Sequence, residues 1–147
     1  MKPFRYASAF AACLLLLPGQ RATAQDNSQQ DFTRAALQVE KAHVIEGIYY
    51  LTQLLPRQCH DPNVDKAVID FTSNNQELIE RVKGSPLFPM IRDGIEKANA
   101  APKPPTQIES ECAKTFAVLR TFDSEQGKAN AARMLQTMKK EVATDSN

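Results

Sequence analysis

Three sets of side chains in this sequence have the type and spacing to do chemistry. Glu40 and His43, three residues apart, would share one face of a helix and present a carboxylate and an imidazole to a metal ion. Met134 and Met138 would stack one turn apart and offer two thioethers to Cu(I). Cys59 and Cys112 could be thiolate nucleophiles, metal ligands or the two halves of a disulfide. Each set also has a plain structural explanation. Di-iron bundles use two Glu-x-x-His motifs and two further glutamates, and one such motif is present here, so His43 reads as an amphipathic residue at a core edge near Tyr50. Methionines one turn apart are ordinary core fillers. His60, beside Cys59, loses that sulfur as a co-ligand once a disulfide forms. Haem attachment needs Cys-x-x-Cys-His, and Cys59-His60 lacks the first cysteine. There is no Gly-x-Ser-x-Gly, no His-Glu-x-x-His and no phosphate-cradling loop, and the five glycines are scattered singly. The sequence thus assigns no catalytic residue, no cofactor and no metal ligand.

The N-terminus sets the compartment. Lys2 and Arg5 precede an apolar run from Ala7 to Leu17, Pro18 and Gly19 break it, and Ala22-Thr23-Ala24 fits the small-x-small site of signal peptidase. The run is about half the roughly 20 residues that span a bilayer, which argues against an anchor. Residues 1–24 are therefore expected to be a cleaved signal peptide, and 25–147 one helical domain of 123 residues with an ordered core at about 31–143. Losing Lys2, Arg5 and Arg21 leaves 15 of 18 basic residues against 17 acidic ones, a formal charge of −2. That balance gives no reason to expect nucleic acid or an anionic membrane as partner, and no second long apolar segment suggests stable membrane insertion. Cys13 departs with the signal, so the two remaining cysteines are expected to pair as Cys59–Cys112 in an oxidising periplasmic or secreted setting.

The elements that must position these residues read as helices. Gln25–Gln30 is polar and is expected to fray, with Asp31 opening the first helix. Phe32, Ala36, Val39, His43, Tyr50 and Leu54 make one apolar stripe; Leu37, Val44, Ile48, Leu51 and Leu55 make a second, and Pro56 is expected to end the helix. Asp61 caps the next helix with Pro62 at its first position. Its apolar face is Val64, Ala67, Val68, Phe71, Leu78, Ile79 and Val82, and Gly84 is expected to close it in a left-handed conformation. Ser85-Pro86 announces a shorter helix with Leu87, Met90, Ile91, Ile95 and Ala98 facing inward. Three prolines in Asn99–Pro105 forbid a helix there. Thr106-x-x-Glu109 reads as a capping box for a helix facing inward with Ile108, Cys112, Thr115, Phe116 and Leu119. Asp123-Ser124 breaks it, with Asp123 capping a last helix through Ala131, Met134, Leu135, Met138 and Val142; the alternative is one bent helix over 106–143. The tail after Ala143 is expected to be disordered. No segment alternates with period two. The fold class is all-α, an antiparallel up-down bundle of four to five helices in which the first corner and the fourth helix meet at Cys59–Cys112.

Surface residues carry the functional reading. Asn74, Asn75 and Gln76 interrupt the apolar stripe of the second helix, as a polar patch fit to meet a partner would. Tyr50 falls on a stripe, whereas Tyr49 is expected to be exposed, the kind of anchor that interfaces favour. With no nucleophile–base pair and no ligand set, the leading expectation is a non-enzymatic exported protein that binds another protein as an inhibitor, immunity or adaptor protein. The alternatives are a periplasmic acid-stress chaperone and a copper or other metal carrier using Met134, Met138 and His43. Size, export signal, disulfide and helicity are those of small periplasmic helical proteins generally, though no family motif is matched residue by residue.

Overall fold

Between Gln20 and Tyr49 the one residue that disfavours a helix is Gly47, and helix α1 (Gln20–Tyr49) runs through all 30 positions. The structure, a computed structural model, describes residues 20–141, with side chains from Ser28 onward. Most of the expected signal peptide, Val142 and the tail lie outside the described residues. Contacts divide the chain into one unit ending at Thr33 and another beginning at Arg34. In the first, Gln25–Gln30 is helical rather than frayed and Asp31 sits inside α1 rather than at its cap. The Thr33 hydroxyl there donates to the Gln29 carbonyl at 2.9 Å. Everything below concerns the second unit.

Pro56 does not end the first helix. A π-helical turn, Tyr50–Leu54, precedes it, in which the Leu55 amide donates to the Tyr50 carbonyl five residues back, and the chain continues as α2 (Leu55–Cys59). The wider turn absorbs the missing proline N–H, and Pro56 falls in the first turn of α2. Thr52 Oγ1 and Arg57 Nε donate to the Ile48 and Gln53 carbonyls, both at 2.7 Å. Ile45, Ile48, Tyr49, Thr52 and Leu54 are the buried residues of α1 and the turn, and Ile45, fully buried, belongs to neither expected stripe. Val39 is exposed instead.

Cys59 closes α2, and His60 (φ 48°) turns the chain, the sole described residue with positive φ. Histidine is among the few non-glycine types that tolerate this region. Asp61 then caps α3 (Pro62–Asn74), its side chain accepting from the Asn63 amide at 2.8 Å, as the sequence indicates. The expected single helix to Gly84 is broken at Asn75 (φ −127°, ψ 35°) into α3 and α4 (Gln76–Lys83). Both the backbone amide and Nδ2 of Asn75 donate to the Phe71 carbonyl, at 3.1 and 2.9 Å, which closes α3 from inside its own sequence. Gly84 is right-handed (φ −80°), not left-handed, because its amide continues the ladder to Glu80 and the chain enters a tight turn.

Helix α5 (Phe88–Ala98) begins later than Ser85-Pro86 suggests, with Pro89 in its first turn, and Ser85 instead holds the preceding turn by accepting from the Leu87 amide. Phe88, Ile91 and Ile95 are partly buried, but Met90 and Ala98 are exposed, correcting the inward face. Helix α6 (Pro105–Thr121) starts on Pro105, whose fixed φ suits a first turn, and the Pro104 carbonyl accepts from Gln107 and Ile108. Thr106 therefore lies inside the helix and the capping box does not form. The break before α7 (Glu125–Lys139) is present, capped by Ser124 rather than Asp123: the Ser124 hydroxyl accepts from the Gly127 amide at 3.1 Å.

The Cys59–Cys112 disulfide forms, with Cα atoms 5.6 Å apart. For a loop of this length it contributes about 4 kcal/mol on the chain-entropy model. From that bridge α3 and α6 run the same way, since Phe71 and Phe122 meet edge to face further along, at 4.8 Å. Helices α1 and α5 run the opposite way: Phe88 packs on Tyr49 and Glu96 pairs with Arg57 near the bridged end. The result is the antiparallel, all-α arrangement the sequence indicates. Helix α7 is fastened by Thr137 Oγ1 to Glu40 Oε1 (2.9 Å) and Lys139 Nζ to Glu77 Oε1 (2.6 Å). The core is Ile45, Ile48, Phe71, Leu78, Ile79, Val82, Leu119 and Met138.

Two glycines differ in what a methyl group would meet. At Gly127 a Cβ would lie 2.1 Å from the Thr121 carbonyl oxygen, so the α6–α7 corner closes only on glycine. At Gly47 nothing lies within 4 Å. Gly127→Ala is expected to destabilise the fold by about 2–3 kcal/mol, and Gly47→Ala to stabilise it by about 0.5–1 kcal/mol. Urea midpoints at constant slope check both.

Candidate binding groove

Two helix breaks lie side by side. The α3–α4 break at Asn75 faces the α6–α7 corner at Phe122, and the space between them is a groove of about 750 Å³. Phe71, Leu78, Phe122, Ala131 and Leu135 supply its apolar wall, and Asn74, Asn75, Gln76, Glu77, Asp123 and Lys128 its polar edge. The breaks create it. Phe71, Leu78 and Ala131 form its buried floor, and Phe122, Leu135 and Ala132 are the apolar side chains that stay partly or fully exposed along it.

The polar edge is nearly neutral because its charges are spent locally. Glu77 pairs with Lys139 at 2.6 Å, Lys128 with Glu125 at 2.7 Å and Asp123 with Arg120 at 3.4 Å. The hydrogen bond and charge of each partner hold Glu125 below the usual carboxylate range and Lys128 above the usual amine range. Gln76 bonds along α4 to Glu80 at 2.9 Å, and Asn74 and Gln76 are exposed. No side chain caps the start of α4. The three amide residues singled out in the sequence thus share one groove.

Tyr49 is not with them. It is 4 % exposed, because the phase of α1 turns it toward α5, where its ring meets Phe88 at 5.8 Å. Its hydroxyl donates to Glu96 Oε1 and accepts from Arg57 Nη2 at 3.0 Å, and the same guanidinium also pairs with Glu96. The expectation of an exposed interface anchor is corrected. Tyr50 is the more open of the pair, and its hydroxyl lies 3.4 Å from Glu111 Oε2. Glu111 also accepts from Lys103 Nζ at 2.7 Å and Gln107 Nε2 at 2.8 Å. Two carboxylate clusters therefore flank the π-helical turn, one tying α5 and the other tying the proline linker. Sequence reasoning missed both, since Glu96, Lys103 and Glu111 carry no local motif.

Burial, then the neighbouring Glu96, push the Tyr49 hydroxyl above its ordinary value; burial, then the charge of Glu111, do the same to Tyr50. The Tyr49 and Arg57 hydrogen bonds hold Glu96 below the usual carboxylate range, and Lys103, then Gln107, hold Glu111 there.

Glu40 is engaged by Thr137, while His43 is exposed with Nδ1 3.8 Å from Glu46. Met138 is buried and Met134 packs against the core. Among the described residues no three His, Cys, Asp or Glu side chains cluster as a metal site, and no helix is long and apolar enough to cross a membrane. Comparison with protein-family models, with curated proteins and with solved structures finds no match.

The two clusters predict an acid limb in stability. A carboxyl whose folded pKa lies below its unfolded value of about 4.5 stabilises the fold fully above that value, and the stabilisation is lost as pH falls through the folded pKa. Urea midpoints are expected to hold steady above about pH 6 and to decline from about pH 5 downward. Glu111→Gln should lower the plateau and flatten part of the decline; an unchanged slope would contradict the assignment.

Proposed function

We propose that this chain is an exported, non-enzymatic helical protein that acts by binding another protein through the groove between Asn75 and Phe122. The observation that carries it is the pairing of two helix breaks around a groove in which partly exposed Phe122 and Leu135 sit beside a neutral amide edge. Recognition surfaces are apolar at the centre and polar at the rim, with charge depleted at the core. A helix from a partner can lay apolar side chains on Phe122, Ala132 and Leu135 and satisfy its polar flank on Asn74 and Gln76. The titratable groups at the edge each hold a partner, which suits adhesion better than proton transfer. The basic start, short apolar run and Ala22-Thr23-Ala24 support export with cleavage after Ala24, and a two-cysteine bridge is in keeping with it.

Placing a photo-crosslinking amino acid at Gln76, and as control at exposed Lys66, tests the reading in exporting cells. Position 76 is expected to give an adduct of discrete mass that Ala132→Glu, in the groove wall, abolishes without loss of helicity. Equal patterns at 76 and 66 would refute the groove.

One feature favours an acid-stress chaperone as a second reading. Helix α5 contains no fully buried residue and is tied to the body through Glu96. Protonating Glu96 removes its charge from Arg57 and weakens that tie, so acid loosens the helix covering Tyr49. Apolar-dye fluorescence is expected to rise below about pH 4 while far-ultraviolet helicity persists. A flat dye signal down to pH 2 would dismiss this reading.

A further inference from the structure

The bridge between Cys59 and Cys112 lies in an open place for a structural staple. Both cysteines line a second groove, about 370 Å³, apart from the main core residues. Cys112 is buried but Cys59 is only half-buried. The reason is local: Cys59 is the last residue of α2, and left-handed His60 turns the chain away, so no further helical turn covers the sulfur. Phe116, a large aromatic still 36 % exposed, and Ile108 form the apolar side of this groove; Asp61 and Glu109 form the acidic side.

We infer that this disulfide is a reaction site, open in the folded state to exchange with a dithiol carried on another protein. One thiolate of the dithiol attacks Sγ of Cys59, the less buried of the two residues. The Cys59–Cys112 bond breaks, and Cys112 leaves as a thiolate that takes a proton from water. The second thiol of the dithiol, once deprotonated, attacks its own sulfur in the mixed disulfide and releases Cys59. Two electrons pass to the pair, which ends as two thiols, and the dithiol ends as a disulfide. The walls select the reagent. Asp61 and Glu109 repel small anionic thiolates, whereas Ile108 and Phe116 give a protein an apolar landing beside the bond. The inference stands apart from the Asn75 groove, since the two share no lining residue.

Reduction kinetics of the oxidised full chain test it, with cysteamine, glutathione and a reduced protein dithiol of the thioredoxin type as reagents. Cysteamine is expected to reduce the native protein at a rate linear in thiolate, without a plateau. Glutathione, corrected for thiolate, should lag cysteamine by about threefold more than it does on the urea-unfolded chain, and Glu109→Gln should narrow that gap. Phe116→Ser should slow the protein dithiol about fivefold and leave cysteamine unchanged. Rates that saturate at the unfolding rate measured independently would show the bond is shielded when folded and overturn the proposal. Equal effects of Phe116→Ser on all three reagents would overturn the docking.

Discussion

Holding the end of α2 against the third turn of α6 is what the rest of this structure depends on. With Cys59 and Cys112 joined, α3 and the part of α6 beyond Cys112 travel in the same direction from the bridge. Their far portions meet, and Phe71, near the end of α3, reaches Phe122, just past the end of α6. The groove lies where these two ends come together.

The π-helical turn plays a parallel role on the other pair of helices. Tyr49 and Tyr50, adjacent where α1 meets that turn, point to different neighbours: Tyr49 faces α5, and Tyr50 faces the proline linker and α6. Each tyrosine then meets a carboxylate that has its own cation, Arg57 for Glu96 and Lys103 for Glu111. The pairs differ in setting. Lys103 and Glu111 retain 16 % and 21 % side-chain exposure, whereas Arg57 and Glu96 retain 58 % and 39 %. Water screens the second pair more strongly, so α5 is the more weakly held element and the linker the better anchored one. This ordering fits a helix that contributes only partly buried side chains.

Much of the fold was legible because the signals act within a turn or two. Asp61-Pro62 caps α3 from adjacent residues, and the Asp123-Ser124 break before α7 falls where expected, though Ser124 rather than Asp123 caps it and α6 opens on Pro105 rather than on a Thr106 capping box. The bridge was legible for a different reason: Cys59 and Cys112 are the two cysteines outside the expected signal peptide, and an up-down order puts both at one end. Of the site, the amide run Asn74–Gln76 stood out as an interruption of an apolar stripe. Its meaning did not, since whether an interruption is a face or a break depends on the Asn75 side chain turning back to the Phe71 carbonyl.

The sequence by itself determined the helical class, the start of α3, the break before α7 and the covalent tie, because those follow from φ restrictions, caps and apolar spacing that neighbours in the chain impose. Tertiary structure decided which face of α1 is buried, which tyrosine is covered, and that Glu96 and Glu111 are the carboxylates that matter. It also decided that residues 71–78 and 122–135 enclose one groove. Those outcomes hang on the phase at which α1 meets its neighbours and on contacts between side chains 39 to 61 positions apart. No local spacing encodes a phase that packing sets.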